Sequence, residues 1–169
     1  MLIVGIDPGT ATTGYGFVRE ERDGSLTAIA YGVITTPAKL DMPKRLVQIH
    51  AELSSLLAQH KPDGGAIEKL FFQRNVKTAI TVAQGRGVEI LALAQTGIDI
   101  AEYTPMEIKQ AVAGYGGADK FQVQHMVRAL LNLAEIPKPD DAADALAVAI
   151  THIHSLKYRS YDTLVGDQS

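Results

Sequence analysis

The sequence predicts an α/β fold, a single mixed sheet with helices on its faces. Three observations lead there. The first 35 residues hold three apolar runs separated by turn signals, the pattern of an antiparallel meander. Two further short strand runs then alternate with long stretches of helical period. The rest of the chain is helical in pattern, and those helices need a sheet to cover. At 169 residues the chain has the length of one ordinary domain and enough core to fold without staples.

Each element follows from local chemistry. Leu2-Ile3-Val4-Gly5-Ile6-Asp7 reads as a buried strand ending on a carboxylate, where Pro8 cannot continue a ladder and Gly9 can turn the chain. Gly14 to Val18 is the second strand, across a tight Gly/Thr turn. Leu26 to Thr35 is the third, with Asp23-Gly24 a hairpin signal before it. Pro43 suits the first turn of a helix carrying Leu46, Ile49, Leu53, Leu56 and Leu57 on one face. Pro62-Asp63-Gly64-Gly65 closes that unit as a turn. Ala66-Ile67-Glu68 is a very short strand that again ends on an acid. Val76 to Ala94 has apolar residues at 76, 80, 83, 87, 90 and 94, a helix stripe interrupted by Gly85 and Gly87. Those glycines imply close approach of another backbone, either a partner subunit or this chain's own sheet. Ile98 to Glu102 is a fifth strand. Thr104 and Glu107 form a capping box for a short helix. After the loop Gly114 to Gly117, helices run from about Asp119 to Leu133 and from Asp140 to Leu156. Residues 1–156 are read as one domain and residues 157–169 as a disordered tail.

Composition narrows the function. There is no cysteine, which excludes disulfides, thiolate metal sites and cysteine nucleophiles. No apolar run reaches the roughly 18 residues of a membrane span. Asp7 interrupts the first apolar run, and no basic segment precedes it, so a signal peptide is not expected and the chain reads as cytoplasmic. Net charge is −3, which argues mildly against nucleic acid as ligand. The distribution says otherwise. From Lys69 to Arg86 there are four bases (Lys69, Arg74, Lys77, Arg86) and no acid, which leaves the remainder at −7. Such a stripe can bind phosphates, because screening over about 8 Å hides distant charge.

The carboxylates carry the chemistry. Asp7 and Glu68 each end an apolar strand. Asp7 alone suits a capping turn as well as a metal ligand. The last helix opens Asp140-Asp141-Ala142-Ala143-Asp144. Asp141 and Asp144, three apart, share a face, and so do Asp140 and Asp144, four apart. Acids there also favour the helix dipole and cap free N–H groups. Taken together, four carboxylates form an oxygen-only site of the kind hard cations such as Mg²⁺ and Mn²⁺ prefer. Two ions about 3.5–4 Å apart would serve in-line attack on a phosphodiester.

With these residues in view, the chain resembles the RuvC-type Holliday junction resolvases, the crossover junction endodeoxyribonucleases of bacteria. The resemblance rests on Gly5-Ile6-Asp7-Pro8-Gly9-Thr10, Thr13-Gly14-Tyr15-Gly16, Ala66-Ile67-Glu68, Asn75 and Gln84-Gly85-Arg86-Gly87-Val88. It continues through Lys109-Gln110, Gln122 to Val127 and Asp141 to Ala147, in order, to about His154. It implies a ribonuclease H-like fold with a five-stranded mixed sheet, the first three strands antiparallel. It implies a homodimer that binds a four-way DNA junction and nicks two strands of like polarity in recombination and repair. It implies Mg²⁺ or Mn²⁺ as cofactor and a branch-migration helicase as partner. The family's catalytic acids fall on Asp7, Glu68, Asp141 and Asp144, which selects Asp141 over Asp140. Its junction-centre aromatic falls on Phe71, and its DNA-side lysines on Lys109 and Lys120. Lys69, Arg74 and Lys77 of the basic stripe join these as DNA contacts. His125 is read as a packing residue.

Two rival readings are weaker. A phosphate loop of actin-like or sugar-kinase type fits Asp7-Pro8-Gly9-Thr10, but those folds need two lobes and a longer chain. A junction-binding protein without catalysis would gain nothing from four acids beside phosphates.

Overall fold

The structure, a computed structural model, describes residues 1–70 and 76–166. Three strands come first: β1 (Leu2–Asp7), β2 (Thr12–Glu20) and β3 (Leu26–Thr35). Helix α1 (Met42–His60) leads to β4 (Gly64–Glu68), α2 (Val76–Ala94) and β5 (Asp99–Tyr103). Helices α3 (Pro105–Ala113), α4 (Lys120–Leu130) and α5 (Asp140–Gly166) complete the chain. The five strands form one sheet in the order β3-β2-β1-β4-β5. β1–β2 and β2–β3 pair antiparallel, while β1–β4 and β4–β5 pair parallel. This is the mixed, ribonuclease H-like sheet that the sequence predicts, with β1 at its centre.

Strand alternation splits the core into two layers. Leu2, Val4 and Ile6 point to one face and pack with Ile49, Leu53 and Leu57 of α1 and Leu93 of α2. Ile3 and Ala66 point to the other and pack with Leu146, Ile150 and Ile153 of α5. Full burial of each such large side chain contributes about 1.5–3 kcal/mol. Helix α5 lies unusually close to the sheet. A methyl on Gly5 would stand 2.1 Å from the Ala145 carbonyl oxygen, and one on Gly14 would stand 2.1 Å from that of Asp141. Bare backbone at these two positions lets the acidic first turn of α5 settle over the end of β1.

Several boundaries and the buried face of one helix differ from the sequence reading. Gly64 and Gly65 belong to β4, not to a turn, because they pair in parallel with Ile3 and Val4. Helix α4 stops at Leu130, short of Leu133, and the chain then adopts φ 50° at Asn132. Helix α5 continues past Leu156 to Gly166, since no proline or glycine interrupts it before that point. The helical path therefore crosses the boundary drawn at 156. Along α2, the predicted stripe faces largely outward: Ile80, Ala83, Gly87 and Ala94 are exposed, whereas Gly85, Glu89, Ala92 and Leu93 are buried. Among the described residues no helix is long and apolar enough to cross a membrane.

Candidate active site

The site forms where β1 and β4 end. Ile6 lies beside Ile67 in the parallel register, so the next residues, Asp7 and Glu68, stand side by side at neighbouring strand ends. Adjacent strands are about 4.8 Å apart. Asp7 follows Gly5 by two residues and Glu68 follows Ala66 by two, so both carboxylates project to the α5 face. On the other side of β1, Asp7 registers with Gly14, the residue whose Cα lies against Asp141 of α5. The three segments meet because Asp7, Gly14 and the first turn of α5 occupy one corner of the sheet.

Electrostatics bind the four acids into one group. Burial first, and then repulsion from Glu68, Asp144 and Asp141, pushes the Asp7 carboxyl up to about 8, with Lys120 opposing. Burial likewise pushes Glu68 up to about 7, helped by Asp144 and opposed by Lys120 and Lys109. Asp144 is also raised by burial, against the pull of Lys120. Acids that repel one another in a desolvated corner hold protons or gain cations. Lys120 supplies a cation here: its ammonium lies 3.0 Å from Asp144 Oδ2 and 3.3 Å from Asp140 Oδ2. Burial would lower the Lys120 pKa, but the two carboxylates hold it above the ordinary range. Asp140 is exposed, and its hydrogen bond with Lys120 keeps its carboxyl low. It thus behaves as a partner of the lysine, apart from the half-buried Asp7, Glu68 and Asp144.

The donor set suits a hard divalent cation, because all of its groups are carboxylates whose repulsion a metal would relieve. Among the described residues no three acids or histidines are already drawn together as a ligand cluster. Lys120 is instead the charge partner of Asp144. A cleft of about 280 Å³ runs alongside, lined by Glu68, Lys109, Lys120 and Asp144 with Ile108 and Val123. A larger cavity of about 1090 Å³ between α3 and α5 holds none of the four acids.

The other predicted residues divide. Lys109 and Lys120 both face the acids. Lys69 is exposed directly after Glu68, with its backbone N–H donating to the Tyr103 carbonyl at 2.7 Å. Phe71 and Arg74 lie outside the described residues, as does the side chain of Lys77. Arg86 is not a free member of the basic stripe. Its Nε donates to the Glu68 carbonyl at 3.1 Å, and its other guanidinium nitrogen pairs with Glu102. His125 packs its ring on exposed Phe121, with centroids 4.1 Å apart. One residue escaped the sequence reading: Glu89 of α2, fully buried, which reaches the loop behind Asp7. The signal was a lone acid in the apolar run Val88-Glu89-Ile90-Leu91.

The chain is similar in sequence and fold to known nucleases. The family model described as crossover junction endodeoxyribonuclease RuvC matches residues 3–152. A RuvC of Syntrophomonas wolfei is 58% identical over 161 residues, covering 95% of this chain and 93% of the relative. One of Desulfitobacterium hafniense is 55% identical, covering 92% and 94%. Among solved structures, Thermus thermophilus RuvC is 36% identical with a TM-score of 0.87, over 94% of this chain and 96% of that one. The same protein in complex with a Holliday junction substrate matches at 33% identity and a TM-score of 0.86.

Proposed function

Because this chain belongs to the RuvC family of crossover junction endodeoxyribonucleases, we propose that Asp7, Glu68, Asp141 and Asp144 hold the divalent metal with which it cuts four-way DNA. The protein is an endonuclease that resolves Holliday junctions in recombination and repair. The observation that carries the site assignment is the meeting of Asp7 and Glu68 at adjacent strand ends, with Asp144 and Asp141 raising the pKa of Asp7.

RuvC nucleases depend on divalent metal, and here the ions are Mg²⁺ or Mn²⁺, two per site. Held by these four carboxylates, such ions would lower the pKa of an attacking water and offset charge on the leaving oxygen. The protein's own part is positional. Asp7 and Glu68 sit on rigid strand ends, which fix direction better than loops do. Asp141 and Asp144 enter from α5 on one helix face. Lys109 and Lys120, beside the acids, orient the scissile phosphate, and Lys69, Arg74 and Lys77 track the backbone on the β4–α2 side. Phe71 stacks on bases near the junction centre.

A second copy completes the enzyme. Ile80, Ala83, Gly87, Leu91 and Ala94 form an exposed stripe along α2 with three- and four-residue spacing, the seam a partner helix covers. Ile80 and Leu91 are 56% and 50% exposed, too much apolar surface for a helix meant to face water alone. A two-fold dimer places two identical sites on a substrate of approximate two-fold symmetry, which yields paired nicks in strands of like polarity. The chain acts on DNA in the cytoplasm, with a branch-migration helicase to deliver junctions.

The test is cleavage of a synthetic four-way junction with Mg²⁺, beside a matched duplex. Symmetric nicks are expected in the junction only. Asp7→Asn is expected to retain junction binding and to lose cleavage by about 10³-fold or more, the scale of losing a group that acts in the transition state. A D7N protein that cuts at the wild-type rate removes Asp7 from the site.

A further inference from the structure

Helix α2 touches the catalytic edge of the sheet from the face opposite α5. Its residue Glu89 is wholly buried, which is rare for a carboxylate without an ionic partner at hydrogen-bond distance. Oε1 of Glu89 accepts from the Gly9 backbone N–H at 3.3 Å and lies 2.8 Å from Thr13 Oγ1. Among the described residues Oε2 has no hydrogen-bond partner. One turn earlier, Gly85 brings the helix against the same loop: a methyl there would meet Thr10 Cγ2 at 2.7 Å and the Gly9 carbonyl oxygen at 3.3 Å. Between them, Arg86 donates to the carbonyl of Glu68. Three residues within about one turn thus reach the two segments that carry Asp7 and Glu68.

We propose that Glu89 is a positioning residue for Asp7, latching the Pro8-Gly9-Thr10 turn to α2 and so fixing the end of β1 from which the Asp7 carboxylate projects. Asp7 is the last residue of β1, so its direction depends on what holds the turn that follows. Two clamps do so. Thr13 Oγ1 donates to the Gly9 carbonyl at 2.6 Å, and Glu89 takes the Gly9 N–H, so both polar groups of Gly9 are held.

The single hydroxyl hydrogen of Thr13 stands within reach of two acceptors, Gly9 O and Glu89 Oε1. A proton on Glu89 removes the conflict: Glu89 donates to Thr13 Oγ1, and Thr13 donates to Gly9 O. Burial, which pushes the Glu89 carboxyl up to about 7 against Thr13, Gly9 and Arg86, moves it toward that neutral form. A slot that merely filled space would hold an apolar side chain, since burying this acid is costly.

The inference rests on the reading of Asp7 as a metal ligand, and one experiment separates the two. Full-length wild type, Glu89→Ala, Glu89→Gln, Thr13→Val and Asp7→Asn are compared in single-turnover cleavage of a four-way junction over a range of Mg²⁺ concentrations. Junction affinity is measured without divalent metal. For E89A the maximal rate is expected to fall about tenfold or more, as small misplacements of a reacting group do. Its half-saturating Mg²⁺ should rise and its junction affinity should hold. E89Q, which keeps an acceptor oxygen toward Gly9, should recover most of the rate. Should E89A fail to fold, T13V carries the test, because it removes the hydroxyl from the other end of the latch with little change of shape. If D7N is inactive while E89A and T13V cleave with wild-type rate and Mg²⁺ dependence, the latch is wrong and the site stands. If D7N cleaves, the site reading itself fails.

Discussion

Lys120 balances the charge of the site. Its ammonium bridges Asp140 and Asp144 and lowers the pKa of Asp7 and Glu68. It is also more than half exposed, on the first turn of α4, where a phosphate can reach it. A lysine in this position has two acidic partners competing with DNA, and a divalent cation held by Asp144 would free it for the substrate. Lys120→Ala is therefore expected to weaken junction binding in the presence of Ca²⁺ and to make the slope of log Kd against log salt shallower by about one ion. Titrating a labelled junction at several salt concentrations reads this directly. An unchanged slope means that Lys120 stays on Asp144 in the complex and meets no phosphate.

At the scale of elements, the site depends on how closely α5 approaches β1 and β2. The Gly14 Cα faces the carbonyl of Asp141 at a distance that leaves no room for a methyl. Gly14→Ala must push the first turn of α5 outward, since the obstructing atom is helix backbone and cannot rotate away. Overpacking of this kind costs about 1–3 kcal/mol. The expected result is a lowered urea midpoint with an unchanged m-value, and a loss of cleavage larger than the loss of junction binding. A G14A protein of wild-type stability would mean that α5 has slack over the strand. Gly14 also shows where the sequence was legible and where it was not. Strand ends, the Thr104 capping box and the acidic first turn of α5 all express local chemistry, so periodicity and spacing disclosed them. The pairing of Asp7 with Glu68 followed from two apolar strands that each end on an acid. Orientation of α2 was not legible, because its buried face uses Gly85, Glu89 and Ala92 and its apolar stripe points outward. A face chosen for close approach and one hydrogen-bonded acid carries no hydrophobic period. Glu89 acts on Gly9, 80 residues away, and only the tertiary fold brings them together. Gly64 and Gly65 misled for a related reason: a dipeptide that favours turns was held extended by β1.

For the whole molecule, charge is the ruling quantity. A net charge of −3 fits poorly with a DNA enzyme until the acids are divided by location. Several of them are gathered in one desolvated corner, where burial and mutual repulsion favour their neutral forms and a bound cation would offset their charge. That corner, together with buried Glu89 on the opposite face, makes stability depend on pH in a direction opposite to the usual acid denaturation. Asp7 moves from an ordinary 3.8 to about 8 in the fold, and Glu68 and Glu89 each move from 4.5 to about 7. These folded values are raised, so between about pH 4 and pH 8 the native state retains protons that the unfolded chain has released. Stability is then full at the acidic end of that window and falls as pH rises through 7 and 8. A divalent cation acts in the other sense, because it binds the ionised carboxylates of the native state and not the dispersed acids of the unfolded chain. In EDTA the Tm is accordingly expected to be lower at about pH 8 than at about pH 5.5. Mg²⁺ is expected to raise it at the higher pH and to leave it nearly unchanged at the lower. Asp7→Asn, which removes the largest of the three shifts, should flatten the EDTA profile and leave the smaller slope of Glu68 and Glu89. Thermal unfolding across pH, with and without Mg²⁺, decides it. A metal-free Tm that climbs from pH 5.5 to pH 8 would mean that the acids are ionised and separately paired, and that they do not form one coupled site.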